Sequence, residues 1–145
     1  MAAIINNGMA ATQTTTVVPV RQSTLPPTLV LLAGWLVPGL GHLLLKKPIR
    51  AALLFVSIVA MFIIGMGLHG KLYTVGGDML DLLGFAGQMG SPLLWAIAHA
   101  TGAGATQLSD TVSDYGSKFA VVAGLLNVMA AVDAQSLANG RKAGL

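Results

Sequence analysis

The sequence predicts an all-α integral membrane protein with three transmembrane helices. Three observations predict it. Of the 145 residues, 54% are hydrophobic and 9% are charged, whereas a soluble globular chain carries roughly 25% charged residues. The mean hydropathy is +0.76. The apolar residues also fall into blocks of spanning length.

The chain opens on residues 1–27, an expected extended tail. Met1–Ala11 has no basic stretch, and Asn6, Asn7 and Gly8 interrupt its apolar residues, so it does not read as a secretory leader. Pro26-Pro27 then blocks any earlier helix start. From residue 28 to 145 the chain reads as a single transmembrane domain.

The first expected span is 28–45, TLVLLAGWLVPGLGHLLL, which has no formal charge. At the helical rise its length is about 27 Å, enough for a hydrocarbon core. Pro38, beside Gly39, is expected to kink it. Lys46, Lys47 and Arg50 end the apolar run, and Pro48 suits the first turn of the next helix. The second expected span, 51–68, is again uncharged. So short a turn makes the two spans antiparallel neighbours.

Residues 69–118 are mixed. Asp78 is an expected N-cap for a helix over 79–90, and Ser91-Pro92 an expected start for another over 93–100. Both read as short interfacial helices, with Trp95 at the membrane surface. A single broken span over 79–100 is the alternative. Residues 101–113 read as loop. The third expected span is 119–137, with Asn127 and Asp133 inside it and Gly140 closing it.

Basic residues set the expected orientation. Lys46, Lys47, Arg50, Arg141 and Lys142 share one side of a three-span chain. Arg21, Lys71 and Lys118 share the other with Asp78, Asp81, Asp110 and Asp114. This places the N-terminus outside and the C-terminus inside a bacterial cytoplasmic membrane.

Several chemistries are excluded or unsupported. There are no cysteines, hence no disulfide, thiolate metal site or thiol nucleophile. All five acids are Asp, which leaves few carriers for acid–base work. No phosphate loop, nucleophile elbow or basic patch with interleaved aromatics is present, so neither an enzyme nor a nucleic-acid binder is expected.

Pro38, Gly39 and Gly41, with Gly34 one turn earlier, strip one side of the first span bare. Gly116, Ala120 and Gly124 make a second small-residue stripe. Both are expected helix-packing faces. His42 lies close to a span interior and is a candidate axial ligand for haem or chlorophyll. Its other reading is a hydrogen bond to a carbonyl or a lipid headgroup. Asp133 is expected to pair with Lys46, Lys47 or Arg50.

The run Trp35-Leu36-Val37-Pro38-Gly39-Leu40-Gly41-His42, followed by a basic turn and an apolar helix, resembles a group of uncharacterised small bacterial membrane proteins. It is similar, more distantly, to the two-helix transmembrane hairpin family. The stretches Tyr115–Asn127 and Asp133–Lys142 resemble the bacterial group as well. That resemblance implies a membrane hairpin and no activity.

Three functions remain open on the sequence. The first is a non-catalytic accessory subunit of a larger membrane complex, such as a respiratory or photosynthetic one, with lipids and other membrane subunits as partners. The second is a cofactor-binding subunit using His42. The third is a free-standing homo-oligomer that handles a small solute or a lipid.

Overall fold

The computed structural model describes residues 24–104 and 111–140. Every regular element among them is helical. These are α1 (Pro27–Leu36), α2 (Leu40–Leu44), α3 (Pro48–Gly67), α4 (Met79–Gln88), α5 (Pro92–Ala100) and α6 (Thr111–Ala138). Two of them, α3 and α6, are long and apolar enough to cross a membrane, while α1 is apolar but short. Residues 1–23 of the expected 1–27 tail, and Asp110, Arg141 and Lys142, lie outside the described residues.

Helices α3 and α6 form the central antiparallel pair. Their approach is set by glycines. A Cβ on Gly65 would lie 2.7 Å from the Gly116 carbonyl oxygen and 3.0 Å from the Ala120 nitrogen. The core between them holds Ile58, Phe62, Ala120, Ala123 and Ala130, closed at one end by Leu72 and Ala98. Alanines on α6 let the larger residues of α3 seat against its backbone.

The expected first span is not one kinked helix. α1 stops at Leu36, and α2 starts at Leu40 after a sharp reversal. Gly39 takes φ 78°, open to glycine at little cost. α2 then doubles back beside α1. A Cβ on Gly41 would lie 2.9 Å from the Val30 carbonyl oxygen and 2.8 Å from Ala134 Cβ. In a straight helix, Val30 and Gly41 would be about 16 Å apart along the axis. Leu25 and Leu45, at the two ends of this hairpin, both pack on the cluster of Val30, Ala134 and Ala138. Pro26 therefore sits at the same end of the molecule as the Lys46–Arg50 turn and the close of α6.

A second hairpin, α4 and α5, comes in from the opposite end. Asp78 caps α4 as expected, its Oδ1 accepting from the Asp81 backbone at 3.0 Å. Ser91 and Pro92 begin α5. At the far end, Lys71 bonds Asp81 (2.7 Å), and Gly104 closes on Gly70 and Leu72. The tip, residues 88–91, reaches inward to Gly124. Counting from the Gly65–Gly116 contact, Gly124 is level with the middle of α3. The two short helices thus exist, but their tip is deep in the bundle. The glycines explain the depth, because Gly87 and Gly90 let the tip backbone touch that of Gly124.

α6 begins at Thr111 instead of Phe119. Its polar first turns are helical because their hydroxyls find backbone partners. Ser113 donates to the His69 carbonyl (2.7 Å), and Ser117 to that of Ser113 (2.9 Å). Gly140 ends the helix with φ 73°.

Candidate functional site

The two hairpin tips meet at Asn127, in the middle of α6. Asn127 is fully buried. Its Nδ2 donates to the Trp35 carbonyl at 2.7 Å, on the first tip. The same nitrogen donates to the Gly90 carbonyl at 2.9 Å, on the second tip. Trp35 Nε1 then donates across to the Met89 carbonyl at 3.0 Å. Three hydrogen bonds therefore tie together the points where each hairpin breaks its helix.

Broken helix ends leave carbonyls without intrahelical partners. Those at Trp35, Met89 and Gly90 are met here by side chains, so both breaks keep these carbonyls paired. The second hairpin is supported the same way. Gln88 is fully buried. Its Oε1 accepts from the Tyr73 backbone (2.9 Å), and its Nε2 donates to the Lys71 carbonyl (2.9 Å). Trp95 Nε1 donates to the Tyr73 carbonyl (3.1 Å). The extended stretch 71–73 is thereby satisfied without a neighbouring strand. Trp95 also stacks on His99, with centroids 5.0 Å apart.

His42 is buried, at 2% exposure, and its Nε2 lies 3.2 Å from Asp133 Oδ2. This bond clips α2 to α6 near the end where α6 closes. The sequence reading did not pair Asp133 with His42, and expected Lys46, Lys47 or Arg50 as its partner. Among the described residues, Asp133 forms no ion pair with Lys46 or Arg50. It meets His42 because α2 runs back along α6. For the ligand role given to His42, its Nε2 is engaged by a carboxylate and the side chain is buried within the chain. No group of three or more metal-ligating side chains occurs among the described residues.

The expected packing residues are placed as follows. Gly34 abuts Ala131 and Gly41, Gly39 abuts Ala51, and Gly41 abuts Ala134. Gly116 packs on Gly65 and Gly70, and Gly124 on Gly87 and Gln88. Ala120 is fully buried. All are consumed inside the chain. Pro38 lines a shallow apolar notch of about 440 Å³ between α2 and α3, with Val37, Leu40, Leu43, Ala51 and Phe55. In the sequence Asn127 stands out as a polar residue inside an apolar run, without a partner that the pattern names. Gln88 is a second such amide, in the apolar stretch 79–90. Both signals were there, since an amide buried in an apolar block must find backbone partners.

Comparison with known proteins adds one match. A family described as "Family of unknown function (DUF6677)" matches residues 29–143, and the chain belongs to it. No curated protein and no solved structure matches the chain.

Proposed function

We propose that this member of the family is a small cytoplasmic-membrane protein that handles a small polar solute where two half-membrane hairpins meet. The observation that carries the reading is the tip contact at Asn127. α3 has 20 residues, about 30 Å of helix, matching a hydrocarbon core. α1 and α4 have 10 residues each, about 15 Å, or half that depth. The exposed side chains of α3, Leu53, Phe55, Val56, Ile63 and Ile64, suit lipid contact.

In this placement the chain has two halves. Each is a broken hairpin followed by a spanning helix, 27–67 and then 79–138. The first hairpin enters from the end where α3 starts, and the second from the end where α6 starts. The halves are therefore inverted relative to each other. Irregular backbone at membrane depth is tolerated when protein buries it or when it lines a cavity. Inverted halves with interrupted helices are the usual setting for a binding point near the midplane.

The accessory-subunit reading drew on glycine faces free to receive partner helices. Those faces are occupied by the chain's own helices. The cofactor reading drew on His42, whose Nε2 is engaged. The third reading, a free-standing oligomer that handles a solute, is the one the geometry supports best. Charge placement orients the protein. Lys46, Lys47 and Arg50 lie at the end where α6 closes, and Arg141-Lys142 follow directly in sequence. Asp78, Asp81 and Asp114 lie at the other end with Lys71 and Lys118. The first end is cytoplasmic by the positive-inside rule, so the start of α1 is cytoplasmic as well.

Reconstitution into vesicles tests the function. Light scattering after mixing with small neutral solutes should show faster entry of at least one of them than in protein-free vesicles. Rates equal to protein-free vesicles for water, ammonia, urea and glycerol would overturn it. So would native purification in which the chain always travels with a fixed set of unrelated subunits.

A further inference from the structure

Two hollows adjoin at Pro48, where α2 gives way to α3. The first is the apolar notch of about 440 Å³ between these helices, whose wall includes Pro48. The second, of about 330 Å³, is lined by Lys46, Lys47, Pro48, Ile49 and Arg50. Pro48 belongs to both. From Pro48 the notch follows α3 to Phe55, about 10 Å along the helix. Every residue lining it is apolar or glycine. Leu43 and Phe55 are about half exposed, at 52% and 45%, so the notch is open to whatever surrounds the bundle.

The charges at this end differ from those at the other. There, Lys71 bonds Asp81 at 2.7 Å and Lys118 lies 3.8 Å from Asp114. Here, Lys46 and Arg50 are exposed, and among the described residues neither has an ion-pair partner. α3 also starts with no side-chain cap and no acidic residue in its first turn, so its dipole adds to the positive field. We propose that the notch and its basic rim hold one anionic phospholipid of the cytoplasmic leaflet. Its phosphate lies at Lys46 and Arg50, and one acyl chain descends the notch past Pro38 and Leu43 towards Phe55. The proposal needs the membrane placement of α3 argued above and is independent of the solute reading.

Shape and charge select this occupant. A helix is about 10 Å across, too wide for a notch about 10 Å long that encloses about 440 Å³. A hydrocarbon chain is less than half as wide. A free phosphate would match the rim and make no use of the notch. An uncharged lipid would fill the notch and leave the rim unmatched. Arg50 offers a planar fork of donors that suits two phosphate oxygens, and Lys46 a point charge. A zwitterionic headgroup brings its own cation beside the phosphate, so it is held less well than an anionic one. The leaflet facing this rim is also the one that carries anionic lipid. Ala52 is exposed in the wall of the notch, so a larger side chain there would fill the notch without entering the core.

The test is native mass spectrometry of the full chain in mild detergent. It is titrated with phosphatidylglycerol or phosphatidylcholine of identical acyl chains. One phosphatidylglycerol per chain should bind, roughly tenfold more tightly than phosphatidylcholine. Lys46→Gln and Arg50→Gln should each weaken it about fivefold. Lys118→Gln, at the other end, should leave it unchanged. Ala52→Phe should weaken it several-fold with both cations in place. A phosphatidylglycerol carrying a photoreactive group on its acyl chain gives a reading on the unaltered protein. At one lipid per chain, its crosslinks should fall within residues 37–55. Equal binding of the two lipids, an equal loss from Lys118→Gln, or undiminished binding by Ala52→Phe would each overturn the site. So would crosslinks shared with residues 122–132, or displacement of the lipid by an equal concentration of glycerol phosphate. Solute flux is measured separately in vesicles. Flux without a bound lipid sinks this inference alone, and a bound lipid without flux sinks only the transport reading.

Discussion

Asn127 decides whether the two hairpins hold together. Replacing it with leucine keeps the branching and heavy-atom count of the side chain, adds some bulk, and removes both donors. The carbonyls of Trp35 and Gly90 then lose their side-chain donor. The expected loss is about 2–4 kcal/mol, from two buried acceptors at about 1–3 kcal/mol each, partly relieved by relaxation. Asn127→Asp should cost more, because a carboxylate presents only acceptors to two carbonyls. Unfolding titrations in mixed detergent micelles read both. A loss below about 0.5 kcal/mol for the leucine variant would mean that the bonds are not carrying the contact. A second residue-scale expectation concerns Lys71, in the loop beyond α3. The hydrogen bond that Lys71 donates to the Asp81 carboxylate raises its pKa above the usual lysine value of 10.5, against an opposing effect of partial burial. A raised lysine pKa stabilises the fold fully below the unfolded value and loses that contribution as pH rises through the folded one. The pair is partly exposed, at 34% and 26%, so Asp81→Asn should cost under about 1 kcal/mol. That difference should hold steady from neutral pH to about pH 10 and fade above it.

At the scale of elements, the glycines carry the argument, and they differ sharply from one another. A Cβ on Gly124 would run into the Gly87 carbonyl oxygen and approach the Gln88 Cα at 3.2 Å. These are backbone atoms and cannot swing aside, so Gly124→Ala must push the α4–α5 tip away from α6. Overpacking of this kind costs about 1–3 kcal/mol. Gly67, at the end of α3, would meet nothing within 4 Å, so Gly67→Ala should be neutral or slightly stabilising through helix propensity. The contrast between these two variants, read by thermal melting, tests close packing against a general intolerance of alanine. The same elements show what is legible in a sequence. Helix starts at Pro48, Asp78 and Ser91-Pro92 can be read directly, because capping and proline geometry are local. So can the stop at Gly140. The reversal after Leu36 cannot be read that way. Pro38-Gly39 permits a kink or a turn equally well, and the choice is made by Gly41 fitting against Val30 and Ala134, residues far apart in sequence. The His42–Asp133 bond was hidden for the same reason, since it exists only once α2 runs back along α6. The small-residue stripes were visible. Whether they served the chain itself or another subunit was not, because spacing records only that something comes close.

At the scale of the whole molecule, the prediction that separates a two-span chain with two half-depth hairpins from a three-span chain is one of sidedness. A first segment that crossed fully would put residue 24 and residue 47 on opposite faces of the membrane. The hairpin puts both on one face, since Leu25 and Leu45 pack on the same cluster beside Ala138. The chain contains no cysteine, so single cysteines can be introduced without a background signal. Cysteines at Thr24, Lys47 and Asn139 should all react with a membrane-impermeant maleimide added to inside-out vesicles. Cysteines at Val75 and Asp114, at the other end, should react only when it is added to right-side-out cells. A cysteine at Leu36 or Gly90 should be slow from both faces, because each tip stops near the middle of the bundle. Reaction of Thr24 and Lys47 from opposite faces would restore a full first span, and the tip contact at Asn127 would then not lie at mid-membrane. Reaction of Gly90 as fast as Val75 would place the second hairpin at the surface. With the first three sites on one face and both tips protected, positive-inside charge and chain geometry agree with each other. Two hairpins, each about 15 Å deep and entering from opposite faces, can then meet only near the centre of a bilayer about 30 Å thick.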